Sequence, residues 1–312
     1  MPPTIIVVVG GIILDLFISM PQLPAPGEVV LGTSLRRRSG GKGANMAIAS
    51  YRTSHLNPTH SLAASSSADH GDENDVQVYL NGAVGDDEDG AFLLAAIACN
   101  GIDVSQVQVL PGVQSATAVM LVGSDASESA PRIIAFREAS KAWRLRERDG
   151  VNCMAMGLQP DLVISDLAIF HDEAVHVLAI ASQQGIDTML NPGPAVFLNA
   201  AVYRTVTHLV LNGEEAAVLS SRKLEDLQKA EGWTEAAEYF LGWGVGNVVL
   251  TLGDRGAYYA GSGGERGIVE AERDVERVDS TGAGYVFYQN LFPPKLTMSP
   301  ACPSTTLPSR CI

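Results

Sequence analysis

Cysteine is scarce in this chain, with four in 312 residues: Cys99, Cys153, Cys302 and Cys311. None stands at the close paired spacing of a zinc site, so all four read as reduced thiols. Basic residues are few as well. Lys and Arg number 21 against 35 Asp and Glu, a formal charge of -14. That balance argues against nucleic acid as a partner, because phosphate-backbone binding relies on clustered cations. The basic cluster Arg36-Arg37-Arg38 reads as a solvated loop face beside a glycine turn rather than as an anion-steering patch. Long apolar runs are missing too. None approaches the roughly 20 residues of a membrane-spanning helix, and the N-terminus lacks the basic flank and cleavage site of a signal peptide. No membrane partner is expected; the cytoplasm is the expected compartment, with the nucleus a second one.

What is present is a sizeable apolar core, 46% of residues being hydrophobic. "TIIVVVGG" and "ILDLFISM" read as strands, and "PQLPAPGEVVLGTSL" as a turn leading into an alternating strand. A helix is predicted over "NMAIASYR", a strand over "VQVYLNGAVG", a helix over "DDEDGAFLLAAIACNGI" and a hairpin over "TAVMLVGSDASESAPRIIAF". Asp86, Asp87 and Glu88 suit a helix N-terminus better than a calcium loop, whose spaced ligands are missing. From Asp161 onward, "DLVISD", "IDTMLN", "THLVLN" and "VGNVVLTLG" are apolar strands separated by helical stretches, the pattern of a parallel sheet covered on both faces. Residues 53–75 are polar, Ser-rich and aperiodic, so a disordered insertion is expected there, its His55, His60 and His70 being plain loop histidines. The Pro, Ser and Thr-rich end reads as a disordered tail.

In open sheets of this kind ligands bind beyond the carboxyl ends of the strands. "GGKGAN" offers glycines for close approach, Lys42 as a cation and Asn45 at a helix start. It matches neither common nucleotide-binding glycine pattern, and taken alone it could equally be a structural turn. "DSTGAG" presents consecutive backbone N–H groups able to hold a phosphoryl group, though an ordinary Gly-rich turn has the same letters. In "NGEE", Glu215 follows Asn212 by three residues; it could orient hydrated Mg²⁺ or simply serve as a helix N-terminal acid.

Taken together and in order, "VVVGGIILDLFISMPQLPAPGEVVLGTSLRRRSGGKGANMAIA", "NGAVGDDEDG", "NPGPA", "LNGEEA", "LTLGDRGA" and "VDSTGAG" resemble the ribokinase branch of the PfkB-type carbohydrate kinases. The resemblance implies a doubly wound, mostly parallel α/β domain over residues 1–284. A small β-sheet lid, from about 12–38 and 116–137, would cover the sugar. It implies ATP-dependent phosphorylation of a sugar's primary hydroxyl, with ribose the first candidate. Asp15, Gly41, Lys42 and Asn45 would hold the sugar. Asn212, Thr251 and Gly253 would serve ATP, Glu215 would act on Mg²⁺ through water, and Asp279 would bind a monovalent cation such as K⁺. Gly282, Ala283 and Gly284 would form the anion hole. The family's lids often pair between subunits, which implies a homodimer.

The departures are specific. The family's catalytic aspartate after Gly-Ala-Gly is Tyr285 here, and a phenol with a reference pKa near 10 is a poor base at pH 7. The expected early asparagine is Ile13, and the glutamate expected after "DLVIS" is Ala168. Residues 285–312 carry none of the family's further helices, so one sheet face is expected to be partly uncovered. The codons of Gly284-Tyr285-Val286 can contain GTATGT, a common intron donor, and we expect 285–312 to be translated intron. Genomic sequence checks this: a donor at these codons and a downstream exon restoring an aspartate in frame are expected, and the absence of either refutes it.

Overall fold

The computed structural model describes residues 2–55, 76–123, 132–146 and 150–271. Strand β1 (Thr4–Val9) is a β-branched run whose Val7, Val8 and Val9 are fully buried, as a strand covered on both faces requires. After the Gly10-Gly11 turn come β2 (Ile13–Met20) and β3 (Ser34–Gly40), antiparallel to each other. Here the structure corrects two expectations. The strand lies later than "PQLPAPGEVVLGTSL" suggests, and Arg36-Arg37-Arg38 sit in it rather than in a loop. Long side chains make this tolerable, since their stems can lie along apolar neighbours while the charge stays in water. Arg38 lies over the Phe17 ring at 5.4 Å, and Arg37 over Phe92 at 5.2 Å while pairing with Asp89.

Helix α1 (Lys42–His55) then packs on β4 (Val76–Asn81). It continues to His55, which stacks on Tyr51 at 4.0 Å, so residues 53–55 belong to the helix and not to an insertion. That ring contact and the hydroxyl bonds of Thr53 and Ser54 back to the preceding turn extend it. His60, His70 and the remainder of the expected insertion lie outside the described residues. The "VQVYLNGAVG" strand is interrupted at Gly82 and resumes as β5 (Ala83–Gly85). Helix α2 (Glu88–Ala98) follows, and then β6 (Gln108–Leu110), which pairs with β5. β7 (Thr117–Gly123) and β8 (Arg132–Phe136) form the predicted hairpin and join the β2–β3 pair in a four-stranded sheet of order β3-β2-β7-β8. On β8, Ile133, Ile134 and Phe136 are exposed.

The remainder is largely alternating. After α3 (Glu138–Ala142) come β9 (Leu162–Asp166), α4 (His171–Gln183), β10 (Asp187–Asn191), α5 (Ala200–Tyr203) and β11 (His208–Asn212). Then follow α6 (Gly213–Ser220), α7 (Ala230–Gly242), β12 (Asn247–Thr251), β13 (Ala257–Gly261) and β14 (Arg266–Val269). The main sheet has eight strands in the order β14-β13-β12-β11-β10-β9-β1-β4. It is parallel from β4 to β12, and the closing pairs β12–β13 and β13–β14 are antiparallel.

Neighbouring residues on one strand join different cores, because side chains alternate across a sheet. Val9, Val163, Leu190, Leu209 and Val248 pack with α4 and α7, whereas Val8, Ile164, Met189, Val210 and Val249 share a second core with α1 and α2. This is the expected doubly wound α/β architecture with its separate small sheet. Val210 and Val249 are 0% and 3% exposed; the segment on which the expected uncovered face depends lies outside the described residues. Among the described residues, no helix is long and apolar enough to cross a membrane.

The acidic start of α2 is a cap, as its sequence predicts. Asp87 accepts the Gly90 N–H at 2.7 Å, and also the Ser115 N–H and hydroxyl at 2.8 and 2.6 Å. Burial pulls its pKa up, but these bonds from Ser115 and Gly90 outweigh that and hold it below the ordinary carboxylate value. The stabilisation is therefore present above the unfolded-state pKa and is lost as the pH falls through the folded one. Asp87→Ala is expected to lose about 1–2 kcal/mol in urea unfolding at pH 7, with the deficit disappearing toward pH 2; an undiminished deficit at low pH would contradict this account.

Candidate functional site

The carboxyl edge of the main sheet collects the polar groups. Asp166, Asn191, Asn212 and Thr251 end β9, β10, β11 and β12. Asn191 is in register with Asp166, and Asn212 with Thr251. Gly10 and Gly11 leave β1 between them and β4, the Gly10 N–H donating to the Asn81 carbonyl at 3.0 Å. Parallel pairing alone thus brings these four strand ends, far apart in the chain, to one edge.

The lid is rooted at this edge. Ile13 on β2 pairs with Gly40 on β3, and the Asp15 carboxylate fills the space a side chain at Gly40 would need. Gly41 has φ +91, a conformation that disfavours side chains. A Cβ there would also lie 2.5 Å from the Gly11 carbonyl oxygen. One residue into α1, a Cβ at Gly43 would meet the Gly10 backbone at 2.5 Å. The Gly11 carbonyl accepts the Ala44 N–H at 3.3 Å, and the Gly41 carbonyl accepts the Asn45 N–H at 3.0 Å. Asp15, Gly41, Lys42 and Asn45 thus all lie at or beside the start of α1.

Lys42 is the centre of charge. Its Nζ donates to Asn191 Oδ1 and to Glu215 Oε1, both at 2.6 Å. Glu215, 7% exposed, also accepts the Asn212 N–H on Oε2 at 3.0 Å, while Asn212 Oδ1 accepts the Glu215 N–H at 2.8 Å. This is a capping box. Of the two readings of "NGEE", the structure shows the helix N-terminal acid: Glu215 caps α6, and it also pairs with the Lys42 ammonium. With one oxygen taken by the cap and the other by Lys42, the carboxylate does not fit a directly ligated metal. It fits a hydrated Mg²⁺ contacted through water, since that ion keeps several waters and leans on substrate phosphates. Gly193 approaches so closely that any side chain there would overlap Lys42 Nζ.

Asp166 escaped the sequence reading because it looks like the last residue of an apolar strand. It is 0% exposed and accepts the Gly11 N–H at 3.0 Å and the Ala168 N–H at 2.7 Å. Burial pushes its pKa up to about 6, against the pull of the Gly11 and Ala168 N–H groups, the Lys42 charge and the Ile169 N–H. The signal available in the sequence was an aspartate closing "LVIS", where a parallel strand otherwise tolerates no charge. The two departures Ile13 and Ala168 both lie near Gly11: a Cβ built there would lie 3.7 Å from Ile13 Cδ1 and 2.7 Å from Ala168 Cβ. Thr251 and Gly253, the latter at φ +64, follow β12 beside Asn212. Asp279, Gly282, Ala283, Gly284 and Tyr285 lie outside the described residues. Among the described residues there is no cluster of three or more His, Cys, Asp or Glu able to hold a metal.

Comparison with known proteins agrees with this arrangement. The model of the pfkB family carbohydrate kinases matches residues 4–287. The chain is 30% identical over 286 residues to a ribokinase of Schizosaccharomyces pombe, covering 90% of this chain and 82% of that protein. It is 28% identical over 283 residues to a ribokinase of Bacillus subtilis, with the same coverage. The structure of Arabidopsis thaliana ribokinase complexed with ribose and ATP superposes with a TM-score of 0.76 at 22% identity, covering 93% of this chain and 84% of that one.

Burial also pushes Asp15 up to about 6. An acid whose folded pKa exceeds its unfolded value of about 3.9 binds more protons when folded, so the stability it confers declines as pH rises from about 4 to about 6. In the ligand-free protein, the neutral isostere Asp15→Asn is expected to melt higher than wild type at pH 7, the gap closing by pH 4. A variant that melts no higher at pH 7 would show that Asp15 carries no such penalty.

Proposed function

We propose that this chain, which belongs to the pfkB family of carbohydrate kinases, is of the ribokinase type. It binds a pentose, ribose first, together with ATP, and its reaction moves the γ-phosphoryl group to the sugar's primary hydroxyl to give ribose 5-phosphate. The observation that supports this most is the seating of Lys42, bonded to Asn191 and Glu215 at the strand ends, directly beside the lid root that carries Asp15.

Phosphoryl transfer asks a protein mainly for positioning and for neutralisation of charge. Asp15, Gly41 and Asn45 face the sugar's hydroxyls in this reading. Lys42 supplies a fixed cation, Thr251 and Gly253 serve the nucleotide phosphates, and Glu215 contacts hydrated Mg²⁺ through water. Magnesium, when bound, neutralises phosphate charge. By sequence position, Gly282, Ala283 and Gly284 offer the anion hole and Asp279 a ligand for a monovalent cation.

Tyr285 limits this chemistry. Without a carboxylate to take the hydroxyl proton, turnover is expected to fall by about 10²–10⁴, and Ile13 with Ala168 withdraws two hydroxyl partners from the sugar. These substitutions favour a second reading, a sugar- or nucleotide-binding protein with little catalysis. ADP release measured with ribose, other pentoses, hexose phosphates and nucleosides separates the readings. Tyr285→Asp is expected to raise ribose-dependent turnover by about 10²–10⁴. Ribose binding without any gain in turnover supports the binding protein, whereas binding and turnover with another sugar class alone removes ribose.

A further inference from the structure

We infer that Asp166 is a positioning residue of the sugar site, clamping the Gly10-Gly11 turn so that this turn seats the N-terminus of α1. The inference rests on the sugar-site reading above and deepens it. Being 0% exposed, Asp166 has no surface to offer a ligand. Its carboxylate is instead directed at main chain, accepting the N–H of Gly11 at 3.0 Å and of Ala168 at 2.7 Å. It lies where a Cβ on Gly10 would have to stand. A glycine at position 10 and an aspartate at 166 are therefore two halves of one fit.

The consequence passes through Gly11. Its N–H is fixed by Asp166, and its carbonyl accepts the Ala44 N–H at 3.3 Å in the first turn of α1. The same carbonyl sets the closest approach of Gly41. Lys42, between those two residues, then reaches Asn191 and Glu215. One carboxylate thus ties the end of β9 to the end of β1 and, through the single residue Gly11, to the residues proposed to grip the sugar. Ala168, where the ribokinase-like pattern has a glutamate, gives its N–H to this same carboxylate. The loop has an acid at its base in place of one at its tip, so the charge supports the site rather than touching the sugar. Replacing it with a group that cannot accept both bonds leaves buried N–H groups unsatisfied.

A purely structural aspartate would weaken the molecule evenly, whereas a positioning one acts on the sugar side alone. Two variants of the full chain separate these roles. Asp166→Asn replaces one of the two acceptor oxygens by a donor, and Asp166→Ala removes both. Hydrogen exchange on the ligand-free protein is expected to quicken about tenfold or more over residues 10–15 and 41–46 in both variants, as loss of a charged hydrogen bond implies. Exchange over 247–251 is expected to stay near wild type. Calorimetry is expected to show ribose binding weakened about tenfold or more and ADP binding little changed. Unchanged exchange at 10–15 and 41–46, an equal rise at 247–251, or a parallel loss of ribose and ADP affinity would each overturn the inference. A wild-type chain that binds no ribose would overturn the sugar reading alone, and the exchange measurement would still decide the role of Asp166.

Discussion

Two stretches of bare backbone meet in this protein, and their contact sets where β2, β3 and α1 stand against the main sheet. Gly10-Gly11, leaving β1, lies against Gly41 and Gly43 at the start of α1, with Cβ positions 2.5 Å from the opposing main chain. No side chain fits, so the approach is available to glycine alone. Because β2 begins just after the first turn and β3 ends just before the second, the same contact roots the lid. Because α1 begins there, it also fixes Lys42. Small sheet, helix and main-sheet edge are thus referred to one point.

The charges around that point are arranged against stability. Lys42 and Glu215 have side chains 23% and 9% exposed, and removing such ions from water is costly unless their partners are well placed. Asn191 and the α6 cap supply those partners. Asp15 and Asp166 have less help, and burial lifts both to about 6. Shifted carboxylates of this kind concentrate at functional sites, where the field they create is worth more than the stability they forgo. In a chain of net charge -14, a phosphate site has to be made locally. In the proposed reading, Lys42, held between the Asn191 amide and the Glu215 carboxylate, does so without a basic surface.

Much of this was legible in the sequence, and the parts that were not share a cause. Apolar runs such as "DLVISD" and "THLVLN" announce parallel strands because burial on both faces leaves no place for polar residues, and glycine-rich words between them mark the strand ends. Register does not announce itself: nothing in "NPGPA" or "NGEE" says that Asn191 and Glu215 share one ammonium group. Arg36-Arg37-Arg38 looked like a loop because three charges in a row are unusual in a strand, yet Phe17 and Phe92 give two of them apolar ground to lie on. Asp166 was hidden by its setting at the end of a buried strand, where its worth depends on backbone donors that only the fold brings near. His55 was assigned to a polar segment, although helix propagation and a ring beneath it suffice to keep it in α1.

The distribution of the departures carries a further step. The glycines at 10, 11, 41 and 43, with Lys42 and Asp166, form the scaffold, and changing any of them would move main chain or strand a buried charge. Ile13 and Ala168 are different: they replace contact groups and leave the backbone where it was. Both lie near Gly11, within 4 Å of where its Cβ would stand. Support is thus intact where contact has been altered. Glu215 caps α6 as well as pairing with Lys42, and Asp166 satisfies the buried N–H groups of Gly11 and Ala168, so losing either acid would leave buried main chain or a buried cation without its partner.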